Sequence, residues 1–174
     1  MAGRLILASA SPRRARILES LGLRFEVRPA HADETIGRHE TPEAAVRRLA
    51  RLKALTVGAP EGDAVLAADT VVTIGKRILG KPRDRREARE MLRALSGRTH
   101  AVVTGVAVAR GGRVWTRVDR TEVRFRTMET REIAAYVRTG EPLDKAGAYH
   151  IEGGGAAFIE AIQPILHGPP QDQQ

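Results

Sequence analysis

The sequence predicts a mixed α/β fold on a single central sheet flanked by helices, and three observations carry that expectation. Short apolar runs (Leu5 to Ala8, Ala64 to Ala68, and the alternating stretch from Ala101 to Phe125) read as strands and are separated by segments of helical period. The helical segments open on start signals: Ser11-Pro12, Thr41-Pro42, and Asp84 with Glu87. The 174 residues, 42% hydrophobic, suit one domain spanning 1–174 and are enough to bury a sizeable core.

In chain order, Leu5 to Ala8 is a short buried strand, and Ser11 caps a helix on which Ile17, Leu18 and Leu21 are spaced before Gly22 stops it. Arg24 to Val27 is a second strand, followed by a charged loop through His39. Thr41-Pro42-Glu43 starts a helix whose apolar face carries Val46, Leu49 and Leu52. The strand from Ala64 is expected to end at Asp69-Thr70. Val71 to Ile74 and Ile78-Leu79 then pair around Gly75-Lys76, closed by Gly80-Lys81-Pro82. Asp84 and Glu87 have the character of a capping box before Ala88, Met91, Leu92 and Leu95, and Gly97 ends that helix. Arg110-Gly111-Gly112-Arg113 joins two strands, Thr130 to Thr139 forms the last helix, and a short strand lies near Ala157 to Ile162. No internal repeat appears, and the tail GPPQDQQ reads as disordered.

Composition narrows the chemistry. The chain has no cysteine, which excludes disulfides, thiolate metal sites and a cysteine nucleophile. No apolar run approaches the roughly 20 residues of a membrane span and no signal peptide is legible, so a cytoplasmic protein without a membrane partner is expected. The net charge of +8 admits nucleic acid, an anionic surface or a small polyphosphate, with a generally arginine-rich surface as the plain alternative. One Trp, two Tyr and three Phe argue against the stacking platforms of single-strand binders.

Ser9 to Arg14 adds two hydroxyls and two guanidiniums to the positive N-terminal turn of a helix, the makings of a phosphate cradle; a mere cap beside solvated arginines is the alternative. Asp69 follows a buried strand without a turn residue, which predicts a carboxylate at a strand end, where open α/β sheets place their ligands. Lys53 lies four residues after Leu49 and seven after Val46, on the core side of its helix; it either snorkels to the surface or reaches an anion in a cleft. Lys81, between Gly80 and Pro82, is placed for a phosphate or is a plain turn lysine. Asp33, Glu34, Asp144 and Glu152 are loop acids that, with Asp69, offer oxygen ligands to Mg²⁺ or Mn²⁺, and one carboxylate is available to activate water. The five histidines have no metal-binding spacing, and no Walker loop, nucleophile elbow or dinucleotide fingerprint is present.

Taken together, LASASPRRARIL, AADTVV, ILGKP, LSGRTHAVVTGV, EVRF and GEPLDKAGAYHIEG resemble, in order and over about Leu5 to Ile162, the Maf family of nucleoside triphosphate pyrophosphatases. The resemblance implies two lobes around a cleft, a fold akin to inosine triphosphate pyrophosphatases, and a cytoplasmic homodimer. It also implies hydrolysis of a nucleoside triphosphate between the α and β phosphates with a divalent cation, Mg²⁺ or Mn²⁺. On the family pattern Asp69 is the general base and a metal ligand, Glu34 a metal ligand, and Lys53 and Lys81 handle the triphosphate. Ser9, Arg13 and Arg14 match its phosphate loop, while Arg13, Thr70 and Glu152 match positions of substrate choice. Nucleic acid is not an expected partner.

Two departures stand out. The dTTP/UTP branch reads Ile-Gln-Gly where this chain has Ile151-Glu152-Gly153; an amide both donates and accepts, an ionised carboxylate only accepts, and glutamate resembles the branch acting on 7-methyl-GTP. Asp69-Thr70 and Asp144 to Tyr149 resemble the dTTP/UTP branch, which is the reading taken, with 7-methyl-GTP hydrolysis as the alternative and a basic nucleic-acid-binding or cell-division regulator as the rival of another class. The second departure is residues 164–174, expected as an irregular tail in place of the family's usual C-terminal element.

Overall fold

Residues 3–165 and 171–173 are described by a computed structural model of the protein. The chain divides into two compact units: Met1–Asp69, Thr104–Val118 and His167–Gln174 in the first, Thr70–Val103 and Asp119–Leu166 in the second.

In the first unit, β1 (Leu5–Leu7) leads through α1 (Pro12–Ser20) to β2 (Phe25–Val27), and the two strands run parallel with Leu5 beside Phe25. The helix α2 (Pro42–Val57) then returns the chain to β3 (Ala64–Ile74), parallel to β1 on its other side with Leu7 beside Leu66. Parallel pairing requires such crossovers, which α1 and α2 supply. The core of this unit sets Ile6, Ala8, Val65, Ala67, Ala107 and Val114 against Ala50 and Ala54 of α2. Small residues let the helix close on the sheet. A Cβ at Gly105 would overlap the Val46 carbonyl, so that close approach depends on glycine. The buried face of α2 is Ala45, Val46, Leu49, Ala50, Lys53 and Ala54, which is the side the spacing predicts for Lys53. On α1, by contrast, Leu18 alone of the apolar trio is buried; Ile17 and Leu21 are 50% and 66% exposed, because strands of three residues offer the helix little surface.

The hydrogen-bonded strand order is β2-β1-β3-β5-β6-β7, where β5 is Thr99–Arg110, β6 Arg113–Phe125 and β7 Ile159–Ile165. β4 (Arg77–Leu79) pairs with β3 and β8 (Gln171–Gln173) with β6. In the second unit α3 (Arg85–Leu95) and α4 (Thr130–Arg138) bury Leu92, Leu95, Ile133 and Val137 against Val123 and Phe125. Phe125 meets the rings of His100 and Tyr149 edge-on at 4.7 and 4.8 Å, and His100 Nε2 lies 2.9 Å from the Tyr149 hydroxyl.

Several expectations need correction. β3 does not end at Asp69: Thr70, Val71, Val72, Thr73 and Ile74 are β-formers that keep the backbone extended, so Asp69 lies within an 11-residue strand. Asp84 caps α3 by accepting the Glu87 N–H at 2.8 Å, but the Glu87 carboxylate turns to the Arg83 N–H at 2.7 Å, leaving half a capping box. The strand expected near Ala157 begins at Ile159, after a 3₁₀ turn over Gly154–Phe158. The irregular tail is interrupted as well: β7 runs through Ile165, and Gln171–Gln173 pairs antiparallel with Val114 to Thr116, backbone bonding that needs no apolar side chain. The remainder, 166–170 and 174, lies outside the described residues.

Burial pulls His100 down from 6.5 to about 4, with a hydrogen bond to the Arg98 backbone opposing. A lowered folded value means the neutral ring stabilises the fold fully above pH 6.5 and that contribution drains away as pH falls toward 4. Denaturation midpoints should therefore decline between pH 6.5 and 5, above the range of the carboxylates, and His100→Gln, which retains a partner for Tyr149, should flatten the decline. Equal slopes in the two proteins would contradict this account of the buried ring.

Candidate active site

Directly after β1 the chain passes through Ser9, 8% exposed, whose Oγ accepts the Ser11 N–H and Arg14 Nη1, each at 3.2 Å. Ser11 occupies the N-cap position of α1 but makes no side-chain cap bond, so Ser9, two residues earlier, has taken over part of that task. Arg14 Nη1 also donates to the Ala68 carbonyl at 2.7 Å, tying the start of α1 to β3 one residue before Asp69. Burial lowers the Arg14 guanidinium from its ordinary value and Arg13 adds to this, while Asp69 and Glu34 pull the other way. Arg13 stands beside it in the first turn, half-buried.

Asp69 is 7% exposed and Lys53 8%. Lys53 Nζ donates to Asp69 Oδ1 at 2.6 Å and lies 2.8 Å from Glu34 Oε1. The snorkelling reading of Lys53 thus gives way to a buried ammonium shared by two carboxylates, an arrangement that compensates the charge of an aspartate placed inside a strand. Glu34 reaches in from the loop between β2 and α2, and its own side chain is about half exposed. That loop is fastened on both flanks. Asp33 Oδ1 accepts the N–H and hydroxyl of Thr35 at 2.9 and 2.6 Å, and Arg48 of α2 grips both oxygens of Glu40 at 2.7 and 2.8 Å while donating to the Thr35 carbonyl at 3.0 Å. The Arg48 bond draws the Glu40 carboxyl from 4.5 to about 2.

Three cations (Arg13, Arg14 and Lys53) and two carboxylates therefore share the C-terminal side of the β1 and β3 pairing in the first unit. Among the described residues no trio of carboxylate or imidazole groups converges to cage a metal. Two carboxylates on one ammonium, with the remaining positions left to water and phosphate oxygen, are a donor set that suits Mg²⁺ or Mn²⁺.

The other sequence candidates belong to the second unit. Thr70, next along β3, is half-buried. Lys81 is exposed in the loop after β4, where the Gly80 carbonyl accepts the Gly147 N–H at 3.0 Å. This bond brings the ILGKP loop to the DKAGAY segment, in which Lys145 Nζ donates to Asp144 Oδ1 at 2.6 Å; Lys145, through that bond first, and Lys81 hold the Asp144 carboxyl below its usual value. Glu152 sits exposed in a turn after Tyr149. Sequence reading missed the supports: Arg48 and Glu40 under Glu34, and Tyr136, Glu141 and His150 around the Glu152 turn. Their partners lie 8 to 14 positions apart at no helical or strand spacing, so periodicity carried no signal for them.

The sequence profile of Maf-like proteins matches residues 4–167. A dTTP/UTP pyrophosphatase of Anaeromyxobacter dehalogenans is 53% identical over 167 residues, covering 94% of this chain and 84% of that one. Another, of Bacillus anthracis, is 48% identical over 161 residues, covering 92% and 84%. Among solved structures, a nucleoside-triphosphatase / dITP/XTP pyrophosphatase of Mycobacterium abscessus is 16% identical with a TM-score of 0.46, covering 88% of this chain and 93% of that one. On the profile match and the identity to these relatives, the chain belongs to the family of Maf-like proteins.

Proposed function

We propose that this protein hydrolyses dTTP and UTP between the α and β phosphates, releasing the nucleoside monophosphate and pyrophosphate. The observation that carries the reading is Asp69, a buried carboxylate ion-paired to Lys53 beside the guanidinium-rich start of α1. The names of relatives about half identical over most of the chain support the substrate.

In this reading Asp69 accepts the proton of the attacking water. The water oxygen bonds to phosphorus, the α–β anhydride bond breaks, and pyrophosphate leaves with the electron pair of the bridging oxygen. Lys53 holds the Asp69 carboxylate in place through their 2.6 Å contact and opposes the negative charge that gathers on phosphate oxygens. Arg13, Arg14 and the N–H groups of the first turn of α1 hold the triphosphate, with Ser9 fixing the Arg14 fork. A divalent cation, Mg²⁺ or Mn²⁺, held by Glu34 and Asp69 together with phosphate oxygens would neutralise substrate charge and polarise the phosphorus under attack. Lys81 is assigned to the phosphates, and Thr70 and Glu152 to the choice of base. The reading extends to a cytoplasmic homodimer, supported by the resemblance; among the described residues no helix is long and apolar enough to cross a membrane.

Glu152 favours a second reading. A carboxylate facing the base accepts from the adjacent N1–H and N2 amino donors of guanine, which suits 7-methyl-GTP, whereas uracil and thymine offer one donor flanked by carbonyls.

Asp69→Asn should lower pyrophosphate release from dTTP and UTP by on the order of 10²–10⁴-fold in kcat while nucleotide binding persists. Near-normal turnover would remove Asp69 from the role of base. Glu152→Gln should raise kcat/KM for UTP relative to 7-methyl-GTP by about tenfold, the worth of one well-placed hydrogen bond. An unchanged ratio across the triphosphate panel would detach Glu152 from base choice.

A further inference from the structure

The turn that bears Glu152 is held by a set of contacts no part of the proposed chemistry uses. Glu141, at the head of the 3₁₀ turn Glu141–Asp144, directs its carboxylate at the Gly154 N–H, which donates to Oε2 at 3.0 Å and Oε1 at 3.2 Å. His150 Nδ1 lies 3.2 Å from the same Oε1. From α4 the Tyr136 hydroxyl accepts the His150 N–H at 3.0 Å, and the Gly153 N–H closes the turn on the His150 carbonyl at 3.1 Å. Both ends of the segment from His150 to Gly154, with Glu152 at its exposed crest, are thereby fixed to two side chains.

The fit is reciprocal. A Cβ at Gly153 would overlap the Glu141 carboxylate, and one at Gly154 would press on the Tyr136 ring at 2.9 Å, so the glycines after Glu152 make room for these two groups. Glu141 is itself seated: Gly140 before it has φ of 81°, and the Glu141 N–H donates to Thr139 Oγ1 at 3.2 Å. Hydrogen bonds from backbone N–H groups to an ionised carboxylate are among the stronger ones available to a loop, and a turn of glycines has little else to order it.

We propose that Glu141 is a positioning residue for nucleotide selection: by binding the Gly154 N–H and facing His150 it sets the pose of the turn that presents Glu152, and so the register in which that carboxylate meets the base. This rests on the reading above that Glu152 chooses the base. Glu141 touches neither the phosphates nor the base in this assignment. Its loss changes which base is accepted, not the power of the hydrolytic groups.

The test compares Glu141→Ala and Glu141→Gln with the unaltered protein, since a glutamine oxygen still accepts the Gly154 N–H. Hydrogen exchange read on the peptide around residues 150–155 measures the clamp without any need for turnover. Glu141→Ala should exchange there at least about tenfold faster, with the peptides of α3 and β6 unchanged, and Glu141→Gln should stay near the unaltered protein. In steady-state pyrophosphate release with UTP, dTTP, GTP and 7-methyl-GTP, Glu141→Ala should raise KM and shift the ratio of kcat/KM between pyrimidine and guanine substrates by about fivefold or more, leaving kcat within about threefold, and Glu141→Gln should restore the ratio. A turn that loosens while the ratio holds would overturn the proposal and leave the pyrophosphatase reading standing. A turn that does not loosen would overturn it as well. If the unaltered protein hydrolyses none of the four, the functional reading fails and this proposal with it. Should Glu141→Ala not fold, Tyr136→Phe, which removes the hydroxyl that accepts the His150 N–H, carries the same expectations.

Discussion

The Lys53 ammonium between Asp69 and Glu34 is the contact on which the arrangement of the first unit depends. An aspartate inside a strand, only 7% exposed, is tolerable only with a cation in direct contact, because an isolated buried carboxylate loses its hydration without return. Delivering that cation requires a helix laid close on the sheet. The alanines at 45, 50 and 54, and Gly105 beneath Val46, provide the close approach, and Lys53 shares their face. The same ammonium draws Glu34 in from a loop otherwise anchored by Arg48 and Glu40. Arg14 completes the set by fastening α1 to the residue before Asp69. One buried charge thus explains the small residues of α2, the glycine in β5 and the fastening of two loops.

Those dependencies also bear on chemistry. In the proposed reading, a carboxylate in a poorly solvated place beside guanidiniums that attract phosphate takes the proton from water while neighbouring cations bear the charge developing on the leaving group. The cations outnumber the acids by one, a net positive charge that favours a polyanion such as a triphosphate. The second unit contributes differently. Its aromatic core around Phe125 and Tyr149, and the bond from Gly147 to the Gly80 carbonyl, order the Lys81 and Asp144 loops, while Glu141 and Tyr136 order the Glu152 turn.

Much of this was legible in the sequence, for identifiable reasons. The helix starts and the core-facing position of Lys53 follow from local spacing, and both hold. Reading Asp69 as the end of a strand failed because the β-branched residues after it, which were visible, outweigh the poor strand propensity of one aspartate once Lys53 compensates it. Lys53 itself was ambiguous because its partners sit 16 positions downstream and 19 upstream, beyond any periodic signal. Ser11 looked like a cap by residue type, yet Ser9 and Arg14 engage each other instead. The supports under Glu34 and Glu152 were invisible because they are long-range pairings between loops, where sequence offers composition but no period.

The central claim, that Asp69 and Lys53 form a mutually dependent buried pair, is tested most directly by a double-mutant cycle in unfolding free energy with Asp69→Asn, Lys53→Met and the two combined. Lys53→Met should cost about 3–5 kcal/mol, since it leaves Asp69 buried without its counterpart, and Asp69→Asn should cost less, since Glu34 Oε1 stays 2.8 Å from Lys53 Nζ. The combined variant should lose less than the sum by at least about 1 kcal/mol, because both charges are gone together. Additive losses, or single variants as stable as the unaltered protein, would contradict the account.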